Sequence, residues 1–263
     1  MIGTSALPRP LPPCVGGLGV AAAQLPAGCR SAAGGDLCEV VGTAHGVRVL
    51  MGDVRGHGPD ASRAAGAVLD GFHGVAHEPG LGRVLHGLQE ALAQHLRGRP
   101  PDERAEEFVT ALLLEIGPDG EVRALNCGHP WPYRLGGPGA EPLSRAEPLP
   151  PLGVFPLPAD PLAVRLGELH PGEALFLCTD GAEDARDAQG RFFPLADALD
   201  EAMAGGAVSP RAVVGGVLTR LLRHTRGRPP DDVALLVLHH SWCDAADAAP
   251  DTPRQRAEPR DRP

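Results

Sequence analysis

Hydrophobic residues along this chain fall mainly into short runs that end at Gly or Asp. Short apolar runs with such boundaries are typical of buried β-strands. The segment Gly117-Pro118-Asp119-Gly120 separates two of these runs and favours a hairpin turn. We therefore predict strands over residues 15–25, 37–43, 47–53, 108–116, 122–127, 133–135, 162–166, 174–178 and 233–238.

Four longer segments have the spacing of amphipathic helices instead. In one of them Val84, Leu88 and Leu92 recur at four-residue intervals, which places them on one helix face. Pro59 suits the first turn of a helix, and Pro79-Gly80 ends the same stretch. We predict helices over residues 59–77, 81–96, 194–204 and 210–225.

The order of these elements is strands, two helices, strands, two helices and a last strand, which is an α/β pattern with hairpins. It is compatible with two antiparallel sheets that pack together under helices. The length of 263 residues and the hydrophobic content of 43% are sufficient for one large core. We expect a folded domain over 15–240, a Pro-rich extension over 1–14 and a disordered tail over 241–263.

Charge and cysteine usage exclude several classes of partner. The net charge is −9 and all 24 basic residues are Arg without a basic stripe, so nucleic acid is not an expected partner. No apolar run reaches the roughly 18 to 20 residues that span a bilayer, so no membrane segment is expected. The six cysteines lack CxxC spacing, which disfavours zinc or disulfides and fits a cytoplasmic protein.

Four short acidic motifs lie at the ends of predicted strands. They contain Asp36, Asp53, Asp180 and the pair Asp231-Asp232. Any one of them is more typical of a turn, since Asp and Gly are common turn residues. Together, carboxylates at one end of a sheet core need a cation between them to ionise. Ligation by oxygen alone suits Mg²⁺ or Mn²⁺.

The order and surroundings of these motifs resemble a known family, the SpoIIE-like serine phosphatases. These are the bacterial branch of the metal-dependent protein phosphatase 2C (PPM) superfamily. The resemblance covers about residues 15–240 and implies an αββα sandwich, with two packed antiparallel sheets flanked by helix pairs. It departs from the family at Leu37-Cys38, where an aromatic pair is usual, and at Arg55, where a small residue is usual. The matching blocks are GGD, GDVRGHG, FVTALLLEI, LNCGHPWPY, LPPLG, LHPGEALFLCTDGAEDARD and DDVALLVL.

By this resemblance Asp53 is the carboxylate that bridges two Mn²⁺ or Mg²⁺ ions, and the backbone carbonyl of Val54 completes the shell of one of them. The other ligands are Asp36, Asp180 and Asp231. Asp231 is preferred over Asp232 because the ligand of the family is the first residue of the pair.

Three further residues have alternative roles. His57 is a candidate general acid for the leaving serine oxygen, or a residue that orients Asp53. Arg55 is a candidate contact for substrate phosphate, because an Arg fork suits phosphate; the alternative is a solvated loop residue. His129, in the GHP tripeptide, is expected to be structural.

The resulting hypothesis is a metal-dependent serine/threonine protein phosphatase, a phosphoric monoester hydrolase. The resemblance implies a phosphorylated anti-anti-sigma-type protein as its substrate, in a bacterial partner-switching pathway. One alternative is a non-catalytic pseudophosphatase that holds a partner, although all four acidic motifs are kept. Another is a small-molecule phosphatase, because loops such as 136–150 select the substrate. The chain lacks a nucleophile elbow and a P-loop, which disfavours covalent catalysis and P-loop ATP hydrolysis.

Overall fold

Two antiparallel sheets pack face to face, and helices cover the outer surface of each. The computed structural model describes residues 10–27, 34–56, 58–99, 107–137, 139–204 and 208–240, and every structural statement below refers to these. One apolar cluster lies between the sheets, and a further cluster lies under each helix pair. The predicted αββα sandwich is therefore confirmed.

The first sheet has six strands in the order β1-β2-β11-β10-β7-β8. Its central strands β10 and β11 are buried almost throughout, as their continuous apolar runs predict. The strands are β1 (Cys14–Val15), β2 (Leu18–Leu25), β7 (Tyr133–Gly136), β8 (Gly139–Pro142), β10 (Ala174–Cys178) and β11 (Val233–His239).

The second sheet has five strands in the order β3-β4-β5-β6-β9. All neighbouring pairs are antiparallel, and β6 shifts register against β9 between Val122 and Arg123. The strands are β3 (Asp36–Thr43), β4 (Gly46–Val54), β5 (Val109–Ile116), β6 (Glu121–Cys127) and β9 (Val164–Glu168).

Helices α1 (Pro59–Val75) and α2 (Leu81–His95) cover the second sheet. Their backbones approach closely where each presents a glycine, since an added Cβ at Gly71 would meet Ala91 at 2.4 Å. The first sheet is covered by α4 (Leu195–Met203) and α5 (Pro210–His224). A short helix α3 (Asp180–Glu183) follows β10. In the part of the chain that the structure describes, no helix is both long enough and apolar enough to cross a bilayer.

The buried side chain of Arg48 fastens the end of the α1 helix to the second sheet. Its guanidinium donates two hydrogen bonds to Oε2 of Glu115, at 2.9 and 2.6 Å. It also donates to the carbonyl oxygens of Ala76, at 2.7 Å, and Glu78, at 2.5 Å. A buried charge is tolerated only when it is paired in this way. Removing one partner therefore destabilises the fold by more than the intact pair stabilises it.

The structure differs from the predicted elements in several places, and the short helix α3 is one of them because no helix was predicted there. The segment predicted as one first strand forms β1 and β2, because Gly16 and Gly17 both adopt positive φ and turn the chain. Strand β8 was not predicted, because its Gly- and Pro-containing sequence lacks an apolar alternation. The tail predicted over 241–263 and most of the extension over 1–14 lie outside the described residues.

Candidate metal centre

The register of the second sheet places two of the candidate carboxylates opposite each other. Asp36 is the first residue of β3, and it pairs with Asp53 near the end of β4. On the other side of Asp53 the paired residue is Thr110 of β5. The antiparallel hairpin thus joins motifs that are 17 positions apart in the chain, as the residue numbers 36 and 53 show.

The first sheet supplies the remaining acidic motifs from two adjacent strands. Asp180 begins α3 just after β10, and Asp231 and Asp232 come just before β11. Thr179 links these strand ends: its N–H donates to the carbonyl of Ala234 at 3.1 Å, and its hydroxyl accepts the Ala234 N–H at 2.9 Å.

The carboxyl groups from the two sheets are close enough to oppose one another's ionisation. Burial raises the pKa of Asp53 from 3.8 to about 8, together with the charges of Asp180, Asp231 and Asp232. A hydrogen bond from the Val54 backbone acts in the opposite direction. The acidic motifs therefore converge on one end of the sandwich.

The neighbouring carboxyls show the same effect. Burial, followed by the charge of Asp53, holds the pKa of Asp36 well above its usual range, against a hydrogen bond from the Thr179 hydroxyl. Burial and the charge of Asp231 raise the pKa of Asp180 as well. A divalent cation among these groups would remove the repulsion that holds the protons on them.

The two residues of the Asp231-Asp232 pair have different surroundings. Asp232 is buried, and its Oδ1 accepts the N–H of Ala27 at 2.7 Å while its Oδ2 accepts the N–H of Gly35 at 3.1 Å. Asp231 is exposed, and its Oδ1 accepts the N–H of Asp232 at 2.8 Å. Asp232 is thus committed to the backbone of other loops, which supports the preference for Asp231 as a ligand.

The glycines of the GGD motif leave room for these oxygens. A Cβ added at Gly35 would lie 2.8 Å from the carbonyl oxygen of Val54 and 3.0 Å from Oδ1 of Asp53. The same addition at Gly34 would meet Oδ2 of Asp232 at 2.1 Å. The carboxylate of Asp53 and the carbonyl of Val54 therefore line one small space that only glycine keeps open.

These residues fit a hard divalent cation. Oδ1 of Asp36 is buried and has no hydrogen-bond partner, although buried polar atoms are nearly always satisfied. Within the described ranges, no group of three or more His, Cys, Asp or Glu side chains is arranged to hold one ion. The chemistry of the donor set nevertheless suits Mg²⁺ or Mn²⁺, because carboxylate and carbonyl oxygens are the ligands that these ions prefer.

The other sequence-predicted residues lie around this centre or outside the described residues. Arg55 is exposed, and its guanidinium lies over the ring of Phe108, 5.4 Å from the ring centroid. The backbone N–H of Arg55 donates to the Phe108 carbonyl at 2.9 Å. His57 is outside the described residues. His129 is buried, and burial lowers its pKa to about 3, so its ring is neutral in the interior.

Sequence reasoning missed several residues that position the carboxylates. Thr179 was not predicted to have a role, and Asp232 was predicted only as the alternative ligand to Asp231. The available signal was a polar residue directly beside a ligand at a strand end. That signal is weak, because most such residues are turn formers.

Comparison with known proteins agrees with this architecture. The family model described as Stage II sporulation protein E (SpoIIE) matches residues 43–241. The RsbU and RsbW domains of Rv1364c from Mycobacterium tuberculosis are 23% identical, with a TM-score of 0.69 over 87% of this chain and 62% of that one. The PP2C phosphatase domain and regulatory fragment of SpoIIE from Bacillus subtilis are 16% identical, with a TM-score of 0.65 over 84% and 62%.

The catalytic domain of the serine/threonine phosphatase PstP, in complex with two manganese ions, is also similar. It is 17% identical, with a TM-score of 0.61 over 84% of this chain and 97% of that one. The chain spans 62% of the length of the first two structures, Rv1364c and SpoIIE. No curated protein sequence matches the chain significantly.

The fold is that of the PP2C-type phosphatases. The family match covers well over half of the residues, and the chain belongs to the SpoIIE family. The predicted resemblance to the SpoIIE-like PPM phosphatases is therefore confirmed at the level of family and fold.

Proposed function

We propose that this chain is a metal-dependent phosphatase that hydrolyses phosphoserine or phosphothreonine in a protein. The observation that carries the proposal is the convergence of Asp36 and Asp53 from one sheet with Asp180 and Asp231 from the other. Every acidic motif of the family pattern is present in the sequence, which disfavours a non-catalytic pseudophosphatase.

In this proposal Asp53 would be the central carboxylate that holds the divalent ions, Mn²⁺ or Mg²⁺. Asp36, Asp180, Asp231 and the carbonyl of Val54 supply the other protein ligands. When bound, the divalent ions would lower the pKa of a water molecule and offset the negative charge of the phosphate. The protein's own contribution is to hold these oxygens in place, through the Asp36–Asp53 register and the Thr179 hydrogen bonds.

His57 has two possible roles, and the leaving group of the substrate distinguishes them. A general acid protonates the serine oxygen as the phosphoester bond breaks, whereas a nitrophenolate leaving group departs without a proton. If His57 is the acid, His57→Asn lowers turnover of a phosphoserine substrate far more than turnover of nitrophenyl phosphate. If His57 orients Asp53 instead, both substrates are affected equally.

A folded phosphoprotein is the substrate class that the surface favours. Val154 and Phe155 are 44% and 62% exposed in the segment that follows Leu152. This segment lies beside the candidate centre, because a Cβ added at Gly153 would be 3.7 Å from Cα of Phe108, the residue under Arg55. In the proposal this exposed pair contacts the protein part of the substrate, which a small aryl phosphate lacks.

The relatives suggest which phosphoprotein to test. One similar structure combines an RsbU domain with an RsbW domain, and another belongs to the bacterial stressosome. We propose an anti-anti-sigma-type regulator carrying phosphoserine as the physiological substrate, in a partner-switching pathway.

The decisive experiment measures phosphate release from nitrophenyl phosphate and from a phosphorylated anti-anti-sigma-type protein, with Mn²⁺ and with chelator. We expect turnover of both to require the metal and to be lost in Asp53→Asn. An Asp53→Asn variant as active as the wild type, or full activity in chelator, would overturn the proposed function.

A further inference from the structure

The buried histidine of the GHP tripeptide is held by a closed turn after β6. Nδ2 of Asn126 donates to the carbonyl of His129 at 2.8 Å, and the N–H of His129 donates to Oδ1 of Asn126 at 2.8 Å. Gly128, between them, adopts a φ of 74°, which favours glycine. Asn126 is the only Asn of the chain, and it is buried. The reciprocal bonds therefore fix the backbone from which the imidazole projects.

One side of this imidazole reaches the strand that carries Asp53. Nδ1 of His129 lies 3.1 Å from the hydroxyl oxygen of Thr110, within hydrogen-bond distance. The Thr110 hydroxyl in turn donates to the backbone carbonyl of Asp53, at 3.5 Å. Thr110 is also the residue that pairs with Asp53 across β4 and β5. A short path thus connects the ring to the backbone of the bridging carboxylate.

The same ring also faces the other sheet. The carbonyl of Cys178 opposes the effect of burial on the His129 pKa, which places the last residue of β10 near the ring. Nε2 is nevertheless buried without a hydrogen-bond partner. Cys178 is separated from Asp180 only by Thr179. His129 therefore lies between the strand that carries Asp53 and the strand that leads to Asp180.

We infer that His129 is a positioning residue that fixes the backbone of Asp53 through Thr110, and thereby sets the affinity of the protein for its divalent ions. The inference rests on the proposed metal-dependent function, and it assigns His129 no contact with substrate. A residue that orients a metal ligand typically changes metal affinity about 10- to 100-fold when it is replaced.

Three variants separate positioning from a merely structural role. His129→Phe keeps the ring volume and removes both nitrogens, and Thr110→Val removes the hydroxyl with little change of shape. His129→Asn places an amide near the position of Nδ1, so it should retain the contact with Thr110. The control is His45→Phe, because His45 is exposed in the turn between β3 and β4.

The experiment titrates Mn²⁺ into metal-free protein and follows both the thermal unfolding midpoint and nitrophenyl phosphate turnover. We expect the Mn²⁺ concentration at the half-maximal effect to be at least about tenfold higher for His129→Phe and Thr110→Val than for the wild type in both measurements. Turnover at saturating Mn²⁺ should stay close to that of the wild type, and His129→Asn should recover most of the affinity.

Two results would overturn the inference. One is an unchanged Mn²⁺ requirement in both variants, even if their midpoints in chelator fall. The other is lost turnover at saturating Mn²⁺ with an unchanged requirement. If His129→Phe fails to fold, Thr110→Val decides the matter alone. A wild-type protein that does not respond to Mn²⁺ would instead contradict the proposed function itself.

Discussion

Asp232 fastens the two halves of the sandwich together through Gly35. Its Oδ2 accepts the Gly35 N–H at 3.1 Å across 197 positions of sequence, while its Oδ1 accepts the N–H of Ala27. Both carboxylate oxygens are therefore used as acceptors from backbone donors. This contact ties the loop before β3 of one sheet to the segment before β11 of the other.

The first prediction contrasts the two neighbouring aspartates. Asp232→Asn turns one acceptor into a donor that faces a backbone N–H, and a buried unsatisfied group costs about 1–3 kcal/mol. We expect this variant to be less stable than the wild type even in chelator. Asp231→Asn should keep its stability in chelator and lose affinity for Mn²⁺. Denaturant unfolding and Mn²⁺ titration of both variants test this, and the reversed pattern would show that Asp232 is the ligand.

A second prediction concerns stabilisation by the metal. Clustered carboxyls repel one another in the metal-free protein, and an ion that binds only the folded state stabilises it by linkage. We expect millimolar Mn²⁺ to raise the thermal midpoint of the wild type and to have much less effect on Asp36→Asn. Glu141→Gln, which changes an exposed carboxylate on β8, is the matched control and should respond like the wild type.

The third prediction is a pH dependence of the metal-free protein. The pKa of Asp53 is raised from 3.8 to about 8 in the folded state. Between these pH values the folded protein holds a proton that the unfolded chain has released. The contribution of Asp53 to stability is thus fully present below about pH 4 and is lost as the pH rises through about 8.

The measurement is the thermal midpoint in chelator at a series of pH values, for the wild type and Asp53→Asn. The midpoint of the wild type relative to the variant should fall as the pH rises through this window. At saturating Mn²⁺ the thermal midpoint of the wild type should no longer fall with pH across this window. A wild-type midpoint that rises relative to that of the variant as the pH increases would contradict the assignment.

The fourth prediction tests protein recognition by the segment after Leu152. Phe155 is 62% exposed, so its replacement by Ala removes little packing within the domain. We expect Phe155→Ala to lower kcat/KM for a phosphorylated protein and to leave kcat/KM for nitrophenyl phosphate unchanged. Equal losses on the two substrates would point to a disturbed centre, and no loss on either would remove this surface from substrate recognition.

The fifth prediction concerns Arg55, which lies over Phe108. If its guanidinium contacts the substrate phosphate, Arg55→Ala should raise KM for both the protein and the aryl ester. Arg55→Lys keeps the charge and loses the planar fork, so it should recover only part of the effect. Steady-state kinetics at saturating Mn²⁺ separate the phosphate contact from metal binding. An unchanged KM for both substrates would leave Arg55 as a surface residue.

Much of the fold could be predicted from the sequence, because a strand gives two separate signals: an apolar run and turn residues at its ends. The run before Asp180 and the run after Asp232 are both apolar and both bounded by turn residues, and they became β10 and β11 within one residue at either end. The split of the first strand at Gly16-Gly17 was missed, although a Gly-Gly pair is a turn signal, because the predicted strand was continued across it.

The candidate site was only partly predictable from sequence. The choice of Asp36, Asp53, Asp180 and Asp231 as ligands depended on resemblance and remains a prediction. Sequence could not assign Asp232 to the backbone of Ala27 and Gly35, because that role depends on contacts between distant segments. For the same reason the path from His129 through Thr110 to Asp53 became visible only in three dimensions.

The position of β11 has a consequence for how the protein is made. This strand pairs with β2 on one side and β10 on the other, in the middle of its sheet, and Asp231 and Asp232 immediately precede it. A nascent chain that has not yet released this segment from the ribosome lacks both an acidic motif and the strand that closes the sheet. The proposed metal site therefore cannot be complete until the segment through β11 has left the ribosome, and a product truncated before residue 231 would lack both Asp231 and this strand.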